Sequence, residues 1–407
     1  MSEFINNKEK RLQDLLAFSQ GIMAGEDGRQ LMDKYRESIN SITPHDMLAM
    51  EDRQLQLGIT PGAIKEDIEK VINTFFKSLA KYPWEKPVPD SFLGHLMREN
   101  QALTEKLQQI KEVLKSYRGQ EEINFQKMKP ALLDKFQQLQ EFEPHYVKKE
   151  NILFPYLEKT WDNYRPLTVM WSLHDDIRKA LKQIITMLEQ PGTAWQNFSE
   201  LLGQYFFLVF GMIQKENLII YPIATETVSA EEWAEMYQQS FEYPFPFIDQ
   251  PVRAADAQGK IASHDRAVEV DGFKSETGQM TYEQVLLAFN HLPVDITFVD
   301  ENDKVRFFNR AKDRFFPRSP AIIGRDVKNC HPPESVHVVE QIVSEFRNGN
   351  RDSADFRIKM QGKYILIQYF AVRDDAGTYR GVIEVSQDIT EMVQLTGEKR
   401  LLEWESS

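Results

Sequence analysis

Three of the chain's eight histidines, His95, His145 and His174, fall on stretches with helical periodicity, and each has a carboxylate nearby in sequence or in a related segment. Glu99 follows His95 by one helical turn, so the two side chains project from one face. Glu150 follows His145. Glu216 belongs to MIQKENLIIYPIA at 212–224, a segment that echoes HYVKKENILFPYL at 145–157. Imidazole and carboxylate together are the donors that iron, manganese or zinc accept, and facing helices of a bundle can deliver them from several directions. Buried carboxylates also call for a cation, because they repel one another and lose hydration. The competing reading is bland: polar groups satisfied on ordinary bundle helices. A second cluster, Cys330, His331 and His337 in NCHPPESVHVV, has the ligand types of a haem or metal site, although the Pro-Pro-Glu run is equally a helix start.

The elements that must position the first cluster are long. Amphipathic helices are expected at 91–117, 121–159, 166–190 and 194–226, an up-and-down four-helix bundle occupying 88–228. Met212, Phe206, Phe207 and Phe210 read as its packing. Ahead of it, residues 1–80 form a small all-α helical domain, patterned first by Leu12, Leu15, Leu16 and Ile22 and last by Ile64, Ile68, Val71, Ile72 and Phe75. Thr43-Pro44 and Thr60-Pro61 mark two of its helix starts, and YPWEKPVPD at 82–90 ends it. Residues 229–280 read as a linker. Beyond them the period changes to two: DITFVD, a turn at ENDK and VRFFN make a hairpin, and DFRIKM, KYILIQYFAV and RGVIEVSQDIT supply three more strands. Five antiparallel strands around helical segments make an α+β domain at 281–395, with 396–407 as a tail. Alternation places Ile296, Phe298, Val305, Phe307, Ile365, Ile367 and Val385 in its core or pocket.

Composition narrows the function classes. The net charge of -13 opposes a nucleic-acid surface, since phosphate binding needs clustered Lys and Arg. A single cysteine, with no N-terminal signal pattern, suits a cytoplasmic chain. The apolar run YFFLVFGMI at 205–213 is short for a membrane span.

The motifs His95-x-x-x-Glu99, HYVKKENILFP and MWSLHDDIR resemble the helices of hemerythrin-type HHE cation-binding domains over about 91–226. That resemblance implies a non-haem iron site, mononuclear or dinuclear, built from His95, Glu99, His145, Glu150, His174 and Glu216 and responsive to oxygen, nitric oxide or iron. Several ligand places depart from the pattern. Aligning the repeats on Pro155 and Pro222 puts Met212 opposite His145 and Lys149 opposite Glu216, and Arg178 stands four residues after His174. The stretch from HLPVDITFVDENDKVRFFN to GVIEVSQDITEM resembles a PAS domain, a fold that holds haem, flavin, a metabolite or nothing; no flavin-reactive cysteine pattern surrounds Cys330. PHDMLAMEDRQLQLGITPGAIKEDIEKVINTF at 44–75 resembles the domain of unknown function 438 found ahead of such pairs.

These readings predict a sensor in which a metal-bearing bundle is coupled to a PAS domain that binds a ligand or forms a homodimer. With no kinase, cyclase, P-loop or DNA-reading motif, output passes to a separate signalling protein. An iron-handling, cluster-repair or oxidant-reducing protein and a metal-free scaffold are the alternatives.

Overall fold

The computed structural model describes residues 2–251, 273–275, 277–312 and 314–396, with side chains omitted at 2–8 and 66–73. Ile68, Val71 and Ile72, much of the linker and nearly all of the C-terminal tail therefore lie outside what is described. The chain forms two compact units, Met1–Gln258 and Gly259–Ser407.

The first unit is helical. It begins with α1 (Ser2–Met23), α2 (Gly28–Lys34), α3 (Arg36–Asn40), α4 (Pro44–Gln56) and α5 (Pro61–Leu79). Thr43 and Thr60 cap α4 and α5 with their hydroxyls, each followed by proline at the first helical position, as their sequence pattern requires. The bundle proper is α6 (Phe92–Lys115), a long second helix, α10 (Pro166–Glu189) and a long fourth helix. The second runs as α7 (Glu121–Leu139), a 3-10 turn, α8 (Glu143–Lys148), a π turn at Lys149–Leu153, and α9 (Phe154–Thr160). The fourth runs as α11 (Trp195–Lys215), a π turn at Glu216–Ile220, and α12 (Tyr221–Thr227). Trp195–Thr227 is long and apolar enough to cross a membrane by composition, but 67% of its most apolar window is buried inside the unit, so it serves as a core helix.

Two expectations change here. Residues 1–80 are not set apart from the bundle. Lys215 reaches Glu51 on α4 at 2.5 Å with both groups buried, Arg165 meets Asp52 at 3.1 Å, and Lys65 pairs with Asp176. The stretch read as linker from 229 also opens with structure: α13 (Ala230–Ser240), held by a capping box between Ser229 and Glu232, packs on the bundle. The Phe-rich residues after it lie against bundle side chains, because aromatic area is better buried than exposed.

In the second unit a short hairpin, β1 (Phe273–Ser275) and β2 (Gly278–Met280), precedes α14 (Tyr282–His291). The sheet comprises β3 (Asp295–Asp300), β4 (Val305–Phe308), β5 (Ser353–Met360), β6 (Lys363–Arg373) and β7 (Tyr379–Asp388), with α15 (Val336–Arg347) between β4 and β5. Its order is β4-β3-β7-β6-β5 and every pairing is antiparallel. The Asp-Ile-Thr ending has a mechanical role. Asp388 accepts from the Thr390 amide, and the Thr390 hydroxyl accepts from the Tyr364 amide, pinning the exit of β7 to the start of β6. Gly381 lets β7 lie flush on β3, since a Cβ there would sit 2.1 Å from the Val299 carbonyl oxygen.

Candidate functional site

Proline shapes both halves of the bundle centre. Pro155 and Pro222 lack the N–H that would close an α turn, and each follows a π turn that begins six residues earlier. The widened turn lets neighbouring residues share the interior. Lys148, Lys149 and Glu150 are all buried on the second helix, as are Lys215 and Glu216 on the fourth.

Glu216 is the hub. It accepts from Lys149 on one oxygen and from Asn100 at 2.7 Å and the Tyr221 hydroxyl at 2.8 Å on the other. Burial disfavours its charge, but Lys149 outweighs that and holds the carboxyl well below the usual range. Glu99 accepts from Lys148 on one oxygen and from His145 Nδ1 at 2.7 Å on the other. Glu150 accepts from His174 Nδ1 at 2.8 Å and from Arg178, which also grips Glu143. Burial opposes ionisation of Glu150, and Arg178 with His174 reverses the balance. Burial pulls the Lys148 and Lys149 ammonium groups down, partly offset by Glu99 and Glu216 respectively.

Because carboxylates only accept, each imidazole donates its Nδ1–H to its carboxylate and turns Nε2 toward Glu216. Those Nε2 atoms make no hydrogen bond. They lie 3.9 Å (His145) and 4.0 Å (His174) from the two oxygens of Glu216. Burial, followed by the charge of Lys149, depresses the pKa of His145.

His95 stands apart. It is fully buried with neither ring nitrogen hydrogen-bonded, packed edge-on to Phe245 at 5.2 Å and beside Tyr237 at 5.8 Å. Burial lowers its pKa. The helix-spacing argument that grouped it with Glu99 fails because Glu99 turns to His145 and Lys148. Phe245 also lies 4.1 Å from the Lys148 ammonium, and Phe247, in a left-handed conformation at φ 65, stacks on Phe142, which stacks on His145. Residues 241–247 thus form an aromatic strap over one end of the charged centre. Sequence reasoning missed the strap and Lys148, and it read Lys149 only as a lost ligand place.

Six expected ligands therefore become two separate carboxylate–imidazole pairs, a hub and an isolated histidine. Among the described residues no group of three or more His, Cys, Asp or Glu side chains is placed to hold a metal ion. Each carboxylate already has a cation of its own: Lys148 on Glu99, Lys149 on Glu216, Arg178 on Glu150. As arranged, the residues do not fit a resident metal.

In the second unit a cavity of about 20 Å³ lies between the sheet and α15, lined by Val299, Val327, His331, Val339, Ile342, Val343, Tyr369, Val382 and Glu384. One water fills such a space; a porphyrin or flavin does not fit it. Of the expected core or pocket residues, Val305, Ile365 and Ile367 are buried on the cavity face. Register puts Ile296, Phe298, Phe307 and Val385 on the opposite face, since their cross-strand partners avoid the cavity. Cys330 packs on the Val299–Val305–Ile322 cluster, His331 bonds the Val327 carbonyl at 2.8 Å, and His337 is exposed on α15. The three do not converge, which removes the basis for a haem site.

Family comparison agrees with this division. Residues 91–224 match the hemerythrin HHE cation binding domain and residues 286–390 match a PAS domain. The chain joins an HHE domain to a PAS domain. No curated protein matches it. Similar solved structures include a C-terminal domain from Streptococcus mutans, 35% identical, covering 31% of this chain and 97% of that one at a TM-score of 0.30. A PAS domain from Colwellia psychrerythraea is 18% identical over 27% of this chain and 97% of that one, TM-score 0.22. A sensory box sensor histidine kinase from Vibrio cholerae is 14% identical over 26% and 92%, TM-score 0.21. The HHE family name implies a bound cation, typically iron; in this HHE domain lysine and arginine side chains already neutralise the carboxylates.

Proposed function

We propose that this chain is a cytoplasmic signalling protein in which the PAS domain takes an input or mediates homodimerisation and the HHE bundle is the responding element. One observation supports the coupling above others: the chain leaving the bundle toward the PAS domain first crosses the centre as the strap, placing Phe245 on His95 and on the Lys148 ammonium. Movement of the strap at 241–247 would uncover or cover buried charge, a change of several kcal/mol that a partner protein can read. The chain's net charge of -13 favours a protein partner over nucleic acid. The resemblance of 44–75 to the domain of unknown function 438 is part of this proposal.

The experiment is hydrogen exchange on the full chain, comparing wild type with Val382→Phe, which fills the PAS cavity. Coupling predicts altered protection of residues 241–247 and of α8; protection unchanged there while β7 responds would sink it.

An iron-dependent sensor of oxygen, nitric oxide, redox or iron state is the second reading, supported by the two unbonded Nε2 atoms facing Glu216. Iron handling, cluster repair and oxidant reduction need the same opening of the centre. Elemental analysis after iron-replete expression separates the readings: one iron per chain, lost in His145→Ala, establishes the iron-dependent one.

A further inference from the structure

We infer that Lys149 is a built-in counter-cation that holds a two-histidine, one-carboxylate site shut against divalent metals. Three observations converge. The Nε2 atoms of His145 and His174, neither with a hydrogen-bond partner, lie 3.9 and 4.0 Å from the two oxygens of Glu216, the donor set that a divalent cation would draw together. Each histidine is oriented by a carboxylate on its other nitrogen, Glu99 or Glu150, as metal-ligating histidines are. The cation that balances Glu216 is instead the fully buried Lys149 ammonium, bound to that carboxylate and lying 3.8 Å from the Met212 sulfur.

A metal entering the natural protein must displace that ammonium, which is fully buried. Two imidazoles and a carboxylate would suit iron(II), manganese(II) or cobalt(II), with coordination places left open. Removing the lysine charge while keeping its bulk, as in Lys149→Met, vacates the cation position and leaves Glu216 unbalanced. The inference does not depend on coupling to the PAS domain.

The test is anaerobic titration of cobalt(II) into the full-length protein, followed by ligand-field absorption and by melting temperature with and without chelator. Wild type is expected to show no stoichiometric cobalt spectrum and a melting temperature indifferent to chelator. Lys149→Met is expected to bind one cobalt roughly a hundredfold or more tightly than wild type and to melt higher with cobalt, both effects vanishing in Lys149→Met/His174→Ala. The inference is overturned if wild type binds one cobalt through His145 and His174, or if folded Lys149→Met binds none. Should Lys149→Met fail to fold both with and without cobalt, Lys149→Gln, whose amide still donates to Glu216, replaces it, and the wild-type titration decides on its own.

Discussion

The bundle centre and the PAS cavity invert the usual relation between chemistry and space. The bundle gathers histidines, carboxylates and lysines in a fully packed interior, where most donors and acceptors are committed to one another. The PAS domain keeps an apolar cavity in which His331, Tyr369 and Glu384 are the only titratable lining groups. Reactive residue types therefore do not by themselves make a site; uncommitted atoms do, and among the bundle's imidazoles these are ring nitrogens of His95, His145 and His174.

The contrast breaks most readily at a single charge. Lys148→Met strips Glu99 of its cation and should cost the helical unit ~3–5 kcal/mol, with Lys148→Met/Glu99→Gln recovering most of it. Tryptophan fluorescence during denaturation follows this, because all the tryptophans but Trp404 lie between residues 84 and 233. A single mutant as stable as wild type would mean that the centre is wet.

Acid is the next lever. His145 is held below its ordinary pKa of 6.5, so the unfolded chain takes up a proton that the folded bundle refuses, and stability declines as pH falls below that value. Glu150 and Glu216 are also held low; their contribution is complete above the ordinary carboxylate value of 4.5 and is lost as pH falls through their depressed folded values. Urea midpoints between pH 8 and pH 3 should fall in two stages, and Glu216→Gln should flatten the second.

Smaller again is Gly94→Ala. A Cβ there would sit 2.2 Å from the Val88 carbonyl oxygen, forcing the 82–90 loop off the start of α6 one residue before His95, at about 1–3 kcal/mol. Thermal melting of the helical unit measures it. Smallest is Ile322→Val in the PAS core, about 0.5–1.5 kcal/mol by lost packing alone. It should lower protection of β3 and β4 in hydrogen exchange and be indifferent to pH between 5 and 8.

Much of this fold was legible. Four long helix-period segments and five alternating strands lie close to where periodicity puts them, and Thr43 and Thr60 cap as their sequence signals require. The centre was less so. Ordinary helix periodicity spreads Lys148, Lys149 and Glu150 around the helix, and only the π turn together with the covering α13 and strap buries all three. The available signal was Pro155, and Pro222 in the echo, standing inside otherwise helical runs. The strap was hidden for another reason: its phenylalanines follow no period, and their partners lie some hundred residues away.

The paired π turns govern the phase of the two helices that carry them. A π turn absorbs one surplus residue without rotating the helix on either side. Deleting Asn151 should therefore leave Phe154 and Pro155 where they are and restore a regular helix, while Lys149 and Glu150 no longer share the interior. The ion pairs then belong to one extra peptide unit in each half of the repeat, and the bundle architecture is separable from the charge it encloses.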